Sequence, residues 1–262
     1  MNHQYNLERF ELKYIIPYSM IRHIENYISV YCEKDLFSQR ENDAYYTVNS
    51  LYLDSKNFGL LGKKKNKVAD RFNLRVRSYG DGTAPPYFFE VKCKRGAVVE
   101  KLRSKVEDEQ WPDFFKYRTD GPNINQNNCG NLNTFFKHAL ALQAEPKILT
   151  QYQRLAYFST IDDYARVTFD KNLRFQRVSE YTVTPDKEKM CNYDANEALG
   201  GPSASVVLEL KSYRNVPIWM LDLIKYFGLN QRSFSKYEKS LEESMFDGYN
   251  EFFTQVPMPL FL

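Results

Sequence analysis

LRVRSY (Leu74–Tyr79) and FEVKCK (Phe89–Lys94) are the stretches on which the reading of this sequence turns. Both alternate apolar and charged side chains with a period of two, the pattern of a β-strand whose two faces meet different surroundings. Leu74 and Val76 oppose Arg75 and Arg77, while Phe89, Val91 and Cys93 oppose Glu90, Lys92 and Lys94. Five further segments keep the same phase. Phe10, Leu12 and Tyr14 stand against Arg9, Glu11 and Lys13, and Leu102, Ser104 and Val106 against Lys101, Arg103 and Lys105. Leu155 opposes Arg154, Val167 opposes Arg166, and Leu208 and Leu210 oppose Glu209 and Lys211. An antiparallel sheet with one dry and one wet face explains any single strand. Seven in phase predict a dedicated ionic face.

Outward from these segments, strands are predicted at 7–14, 45–53, 70–79, 86–95, 98–106, 147–157, 164–170, 174–178 and 204–212. Helices are predicted at 17–31, which opens with Pro17 and spaces Ile21, Ile24, Ile28 and Tyr31 helically, then in DSKNFGLLGKKKN starting at Asp54, and at 111–117, 133–143, 217–227 and 235–247. GDGTAPP (80–86) is a turn, and 121–133 and 185–203 are loops. KKKNK (63–67) reads as a solvated surface run. With 262 residues, 43% hydrophobic and 16% aromatic, the chain has the material for a strand-rich core. No repeat or linker divides it. The expectation is one α+β domain over 1–262, its motifs spanning about 7–240 and residues 241–262 forming a helix end and an apolar tail, PMPLFL.

Several chemistries are excluded. Cys32, Cys93, Cys129 and Cys191 form no CxxC pair, and His3, His23 and His138 have no metal-ligand spacing, which argues against disulfide, zinc and His-centred hydrolytic chemistry. There is no GxxxxGK or GxGxxG turn. No apolar run approaches the roughly 20 residues that cross a bilayer, and MNHQYNLERF has no secretory organisation. A cytoplasmic protein is expected. Net charge is +3 and no RRM-like or OB-like aromatic signature is present, so nucleic acid is not an expected partner.

That modest net charge conceals a concentrated surface. Without Lys105 and with Asp170 and Lys236 added, the ionic set holds twelve basic and four acidic residues, while the rest of the chain is richer in acid. Arginine, whose planar fork grips phosphate in a bidentate way, supplies six of the twelve: Arg9, Arg75, Arg77, Arg103, Arg154 and Arg166. About eight strands closing into a barrel would line its lumen with these side chains. Two like charges roughly 4 Å apart at an effective dielectric near 20 repel by about 4 kcal/mol, so a bare lumen calls for a polyanion.

The segments RFELKY (9–14), SLYLD (50–54), LRVRSY (74–79), FEVKCK (89–94), KLR (101–103), YQRLAY (152–157), RVTFD (166–170), VVLELK (206–211) and FSKY (234–237) resemble, in order and spacing, the vacuolar transporter chaperone (VTC) polyphosphate polymerase domain of the CYTH-like, or triphosphate tunnel metalloenzyme, superfamily. The resemblance implies a closed antiparallel β-barrel tunnel with helices packed outside. It also implies transfer of the γ-phosphate of ATP to a growing polyphosphate chain, with Mn²⁺ or Mg²⁺. Lys13, Arg75, Arg77, Lys92, Arg154 and Arg166 match phosphate-gripping positions. Tyr152 matches a phosphate-bonding tyrosine, and Lys94, Lys101, Arg103 and Lys211 extend the basic track. Ser235 and Lys236 match a pair closing one end, where Lys236, with Arg75, Arg77, Arg154 and Arg166, would neutralise charge on the transferred group. Glu209 is the matching metal ligand, with Glu90 and Glu11 as further candidates.

Two departures bear on the reaction. Tunnel hydrolases open with E-x-E-x-K, whereas Arg9-x-Glu11-x-Lys13 has Arg first, which favours holding a long anion. Polymerases carry a basic residue two before the Ser-Lys pair, where this chain has Ser233 beside Arg232. A tunnel triphosphatase and a non-catalytic polyphosphate-binding module are the alternatives.

Overall fold

The computed structural model describes residues 9–81, 84–96, 98–115, 129–192, 205–213 and 215–246. Its elements begin with β1 (Arg9–Pro17), α1 (Met20–Ile28), β2 (Cys32–Lys34), α2 (Leu36–Arg40), β3 (Tyr46–Asp54) and α3 (Gly59–Lys65). There follow β4 (Asp70–Tyr79), β5 (Tyr87–Arg95), β6 (Val98–Val106), a 3-10 turn over Trp111–Phe115, and α4 (Cys129–Ala141). The chain continues through β7 (Glu145–Ser159), β8 (Ala165–Arg177), β9 (Cys191–Asn192), β10 (Ser205–Tyr213), α5 (Ile218–Tyr226) and α6 (Lys236–Phe246). The α+β class and the antiparallel ladders agree with the sequence pattern. The apolar tail, residues 121–128 and most of 185–203 beyond Asn192 lie outside the described residues, as does the Arg9 side chain.

The chain forms two compact units. The first comprises Met1–Thr47, Tyr152–Leu173 and Asn192–Phe234. In it β1, β10, β8 and the second half of β7 lie side by side, with β2 paired to the end of β7. Lys13 is opposite Glu209 and Glu209 opposite Thr168; Glu11 is opposite Lys211 and Lys211 opposite Arg166. That register gathers the ionic side chains, because directly opposed residues share a face. On the other face Tyr14, Leu155, Val167, Phe169, Leu208 and Leu210 pack with Ile21, Ile24 and Ile28 of α1 and Trp219, Met220 and Leu223 of α5.

The second unit comprises Val48–Gln151, Arg174–Cys191 and Ser235–Leu262. Here the first half of β7 pairs with β3, followed by β4, β5 and β6. Its dry face buries Leu51, Leu74, Val76, Phe89 and Val91 under Leu132, Phe135 and Phe136 of α4 and under Trp111. Phe89 meets Phe135 edge to face at 5.0 Å and Trp111 at 5.7 Å. Each unit therefore puts these helices on the apolar side of its strands and leaves the charged side to its own chemistry.

Several expectations are corrected. The sheet does not close into a barrel: among the described residues β1 pairs as a strand with β10 alone and β6 with β5 alone. Both edges oppose further pairing. Pro17 at the end of β1 has no N–H, and β6 sets Lys101, Arg103 and Lys105 along its length. The outer edge of β1 is instead met by a bridge from Gln231 to Tyr14 and by the Arg232 N–H, which donates to the Lys13 carbonyl at 2.9 Å. Pro17 ends a strand and does not open the helix, which starts at Met20. β8 is a single strand across 171–173, where a break was expected, because Asn172 takes the left-handed conformation (φ 51°) that Asn tolerates. The lysine run is exposed as expected at Lys63, Lys65 and Lys67, and two of its members also pair with α6, Lys64 with Glu238 at 3.0 Å and Lys65 with Glu242 at 3.3 Å.

Candidate functional site

In the second unit the charged face of β4, β5 and β6 carries Arg71, Arg75, Arg77, Lys92, Lys94, Lys101, Arg103 and Lys105 against one carboxylate, Glu90. Register sets Arg75 opposite Glu90 and Glu90 opposite Arg103, with Lys92 opposite Lys101 in the next row. Glu90 is 1% exposed. One oxygen accepts from Arg75 Nε at 2.5 Å; the other lies 2.6 Å from Lys101 Nζ and 3.3 Å from Arg103 Nε. Although burial opposes ionisation, Arg75, Arg77 and Lys101 hold this carboxyl well below the usual range. It is a permanent anion shared by cations that outnumber it.

The surplus is visible in neighbouring groups. Lys101 is pushed down to about 6, first by burial and further by Arg75 and Arg77, against the pull of Glu90. Tyr79 falls to about 8 because Arg77 and Arg103 overcome the effect of burial. Tyr52, which receives a 3.4 Å hydrogen bond from Arg75, is lowered against its burial by Arg75, Arg77 and Lys236. Arg77, 5% exposed, donates through Nε to Ser50 Oγ at 3.1 Å. Lys236 opens α6, and Ser235 precedes it as a cap whose hydroxyl accepts the Glu238 N–H at 3.4 Å. Tyr237 stacks on Tyr52 at 5.2 Å, so α6 reaches the charged face at this end. Lys94 lies farther along, opposite Arg71 and Val99.

The first unit is built differently. Lys13 Nζ lies 3.1 Å from both Glu11 Oε1 and Glu209 Oε1 and donates to the Phe234 carbonyl at 3.1 Å. Glu209 and Glu11 raise Lys13 against its burial. The other Glu209 oxygen is 2.7 Å from Lys211 Nζ and 4.0 Å from Arg154 Nη2. Arg154 donates twice to the fully buried Asp170, at 2.6 and 2.7 Å, and its guanidinium carbon is 5.3 Å from the Tyr152 ring centroid. Arg166 leans on Asp35 at 3.1 Å, and Asp35 also caps α2 by accepting the Ser38 N–H. Thr168, opposite Glu209, has a buried hydroxyl with no hydrogen-bond partner among the described residues.

The predicted positions thus gather in two sets. Lys13, Glu11, Glu209, Lys211, Arg154, Arg166 and Tyr152 belong to the first unit; Arg75, Arg77, Glu90, Lys92, Lys94, Lys101, Arg103, Ser235 and Lys236 belong to the second. Sequence reasoning did not single out Asp35, Ser50, Tyr52 or Tyr79. Ser50 and Tyr52 were legible in principle, since strand alternation puts them on one face of SLYLD.

Among the described residues no three His, Cys, Asp or Glu side chains gather as a metal-binding group. Glu11 and Glu209 fit a smaller demand. Magnesium-type ions use one or two carboxylates and complete their shell with substrate phosphates and water. The Lys13 ammonium, equidistant from both carboxylates, shows that the pair can hold a shared cation. Glu90, the third candidate, lies against Arg75, Lys101 and Arg103, as Glu209 lies against Lys13, Lys211 and Arg154.

Each unit thus presents an ionic face on its antiparallel strands. The VTC domain family profile matches residues 8–245, and the chain belongs to that family. No curated protein matches the sequence. Among solved structures, a Bacillus halodurans protein assigned as an adenylate cyclase shares 9% identity with a TM-score of 0.50, covering 87% of this chain and 95% of its own; that likeness is one of fold. A Pyrococcus horikoshii protein, also 9% identical, covers 91% and 98% with a TM-score of 0.43. No helix among the described residues is long and apolar enough to cross a membrane.

Proposed function

We propose that this protein is a phosphotransferase that moves the γ-phosphate of ATP to the end of a polyphosphate chain. The supporting observation is the eightfold cationic face of β4–β6 around the single buried carboxylate Glu90. Crowded like charges on a half-buried surface are relieved by a multivalent anion. Arg75, Arg77, Lys92, Lys94 and Lys101 would bind phosphate oxygens, and Lys236, near Tyr52, would offset charge on the phosphoryl group in transit. Glu90 acts here as the fixed counter-ion that aims Arg75, Lys101 and Arg103.

In the transfer, the bond from the γ-phosphorus to the β-bridging oxygen breaks and a bond to a terminal chain oxygen forms, leaving ADP and a chain one phosphate longer. The attacking oxygen is already anionic, so no general base is needed, and catalysis consists of positioning and charge stabilisation. Glu209 and Glu11 would hold Mg²⁺ or Mn²⁺, which supplies further neutralisation of phosphate charge. Arg154, locked by Asp170, and Lys211 and Tyr152 are the proposed phosphate contacts of the first unit; Arg166 joins them from its Asp35 anchor. Ser235 would act through the cap that places Lys236.

Purified protein given ATP and Mn²⁺ should produce a polyphosphate ladder on a stained gel. Orthophosphate without a ladder would make it a triphosphatase, and metal-independent polyphosphate binding without turnover would make it a binding module.

A further inference from the structure

One cation of the second unit is arranged unlike the rest. The guanidinium carbon of Arg103 sits 3.6 Å over the centroid of the Phe88 ring. Its Nη2 donates to the Tyr79 hydroxyl at 3.1 Å, and its Nε lies 3.3 Å from Glu90. Phe88 and Tyr79 meet edge to face at 5.4 Å, bracing the assembly. The plane of the guanidinium is thereby fixed from beneath and at two of its edges. The side chain is nonetheless 37% exposed, while Phe88 covers one face of its guanidinium.

A guanidinium that grips phosphate presents its N–H edge, because the bidentate fork lies in the plane. Here two edge nitrogens are already engaged within the protein. What remains is a flat, weakly hydrated cationic face, which attracts the π-surface of an aromatic heterocycle. Register places Arg103 two strands from Arg75, through Glu90. Both side chains lean toward the same carboxylate, Arg75 Nε at 2.5 Å and Arg103 Nε at 3.3 Å, so the two guanidinium groups flank Glu90 at a separation that a ribose and one phosphate can bridge.

We propose that the open face of Arg103, backed by Phe88, stacks the base of a nucleoside triphosphate whose phosphates bind Arg75 and Arg77. This rests on the reading of the site as one that takes a nucleoside triphosphate. It makes Arg103 a specificity residue that distinguishes ATP from base-free polyphosphate, so that donor and acceptor are told apart by the base.

The test compares calorimetric titrations of ATP and ribose 5-triphosphate, which carries the same phosphates without a base, in wild-type protein, Arg103→Lys and Phe88→Leu. Wild-type protein should prefer ATP by about tenfold. Arg103→Lys keeps the charge but loses the plane, and Phe88→Leu removes the backing; each should shrink the preference to about twofold. In Phe88→Leu, ribose 5-triphosphate affinity should stay within about twofold of wild type. Equal affinities in the wild type, which needs no folded variant to observe, would overturn the proposal while leaving the phosphate site intact. So would variants that weaken both ligands equally. If the wild type bound neither ligand nor inorganic tripolyphosphate, the functional reading itself would fall.

Discussion

The two units use the same strand pattern to opposite electrostatic ends. In the first, Lys13, Arg154, Arg166 and Lys211 are matched by Glu11, Asp170, Asp35 and Glu209, each cation having a carboxylate within 3.1 Å. In the second, Arg75, Lys101 and Arg103 share the one carboxylate Glu90, Arg71, Arg77, Lys92 and Lys94 lie on the same face, and Lys105 at its end pairs with Glu107. A balanced set can be buried without a ligand; in an unbalanced one the excess positive charge adds to burial in depressing Lys101 and outweighs burial in lowering Tyr79. The lesson is that alternation fixes where charges go, while the ratio of signs decides whether a surface is finished or waits for a guest.

The comparison can be broken most severely at Glu209. Glu209→Gln should lower metal-dependent turnover by about a thousandfold, in the range reported for lost electrostatic stabilisation, with polyphosphate binding retained; undiminished turnover would remove the ion from this position. Next comes Asp170→Asn, which strips Arg154 of its buried partner. Loss of one member of such a pair costs about 3–5 kcal/mol, so chemical denaturation should register a large drop in stability. An equally large drop on replacing one partner of Glu90 would erase the contrast, since the surplus face has cations to spare.

Arg75→Ala with Arg77→Ala should weaken polyphosphate binding by about a hundredfold and flatten its salt dependence, because fewer ion contacts are made on binding. A smaller effect is expected from pH. Lys101, pushed down to about 6, is largely neutral above that value in the free protein, and a bound anion restores its proton. Binding therefore takes up a proton, and affinity should fall as pH rises from 6, by at most tenfold per unit. Above about 8 the Tyr79 phenolate adds repulsion of the same sign. Affinity rising with pH would contradict a cationic second face. The smallest effect belongs to Lys64→Ala, a partly exposed pair with Glu238, at about 0–1 kcal/mol by thermal melting.

Much of this was legible in the sequence. The phase of Leu74, Arg75, Val76 and Arg77 gave both the core and the charged face, because a strand has just two sides. The partnerships were not legible. Nothing in a period of two says that Asp170 faces Arg154 across a ladder or that Asp35, from the turn before α2, reaches Arg166; those depend on register and on contacts distant in sequence. Edge behaviour was misread as well, since about eight alternating strands are equally compatible with an open sheet. Proline suits the first turn of a helix and the end of an edge strand alike, since at neither place does it forfeit a backbone bond, so Pro17 alone does not separate the two.

Asp54 carries a consequence of its own. One of its oxygens accepts the N–H groups of Ser55 and Leu60, and the other accepts the Leu61 N–H and the Tyr237 hydroxyl, the last at 2.6 Å. A single carboxylate at the end of β3 thus clamps the first turn of α3 and the second residue of α6. Lys236 is riveted to the same strand that supplies Ser50 and Tyr52, so a tug on either helix is felt at the arginines beside them.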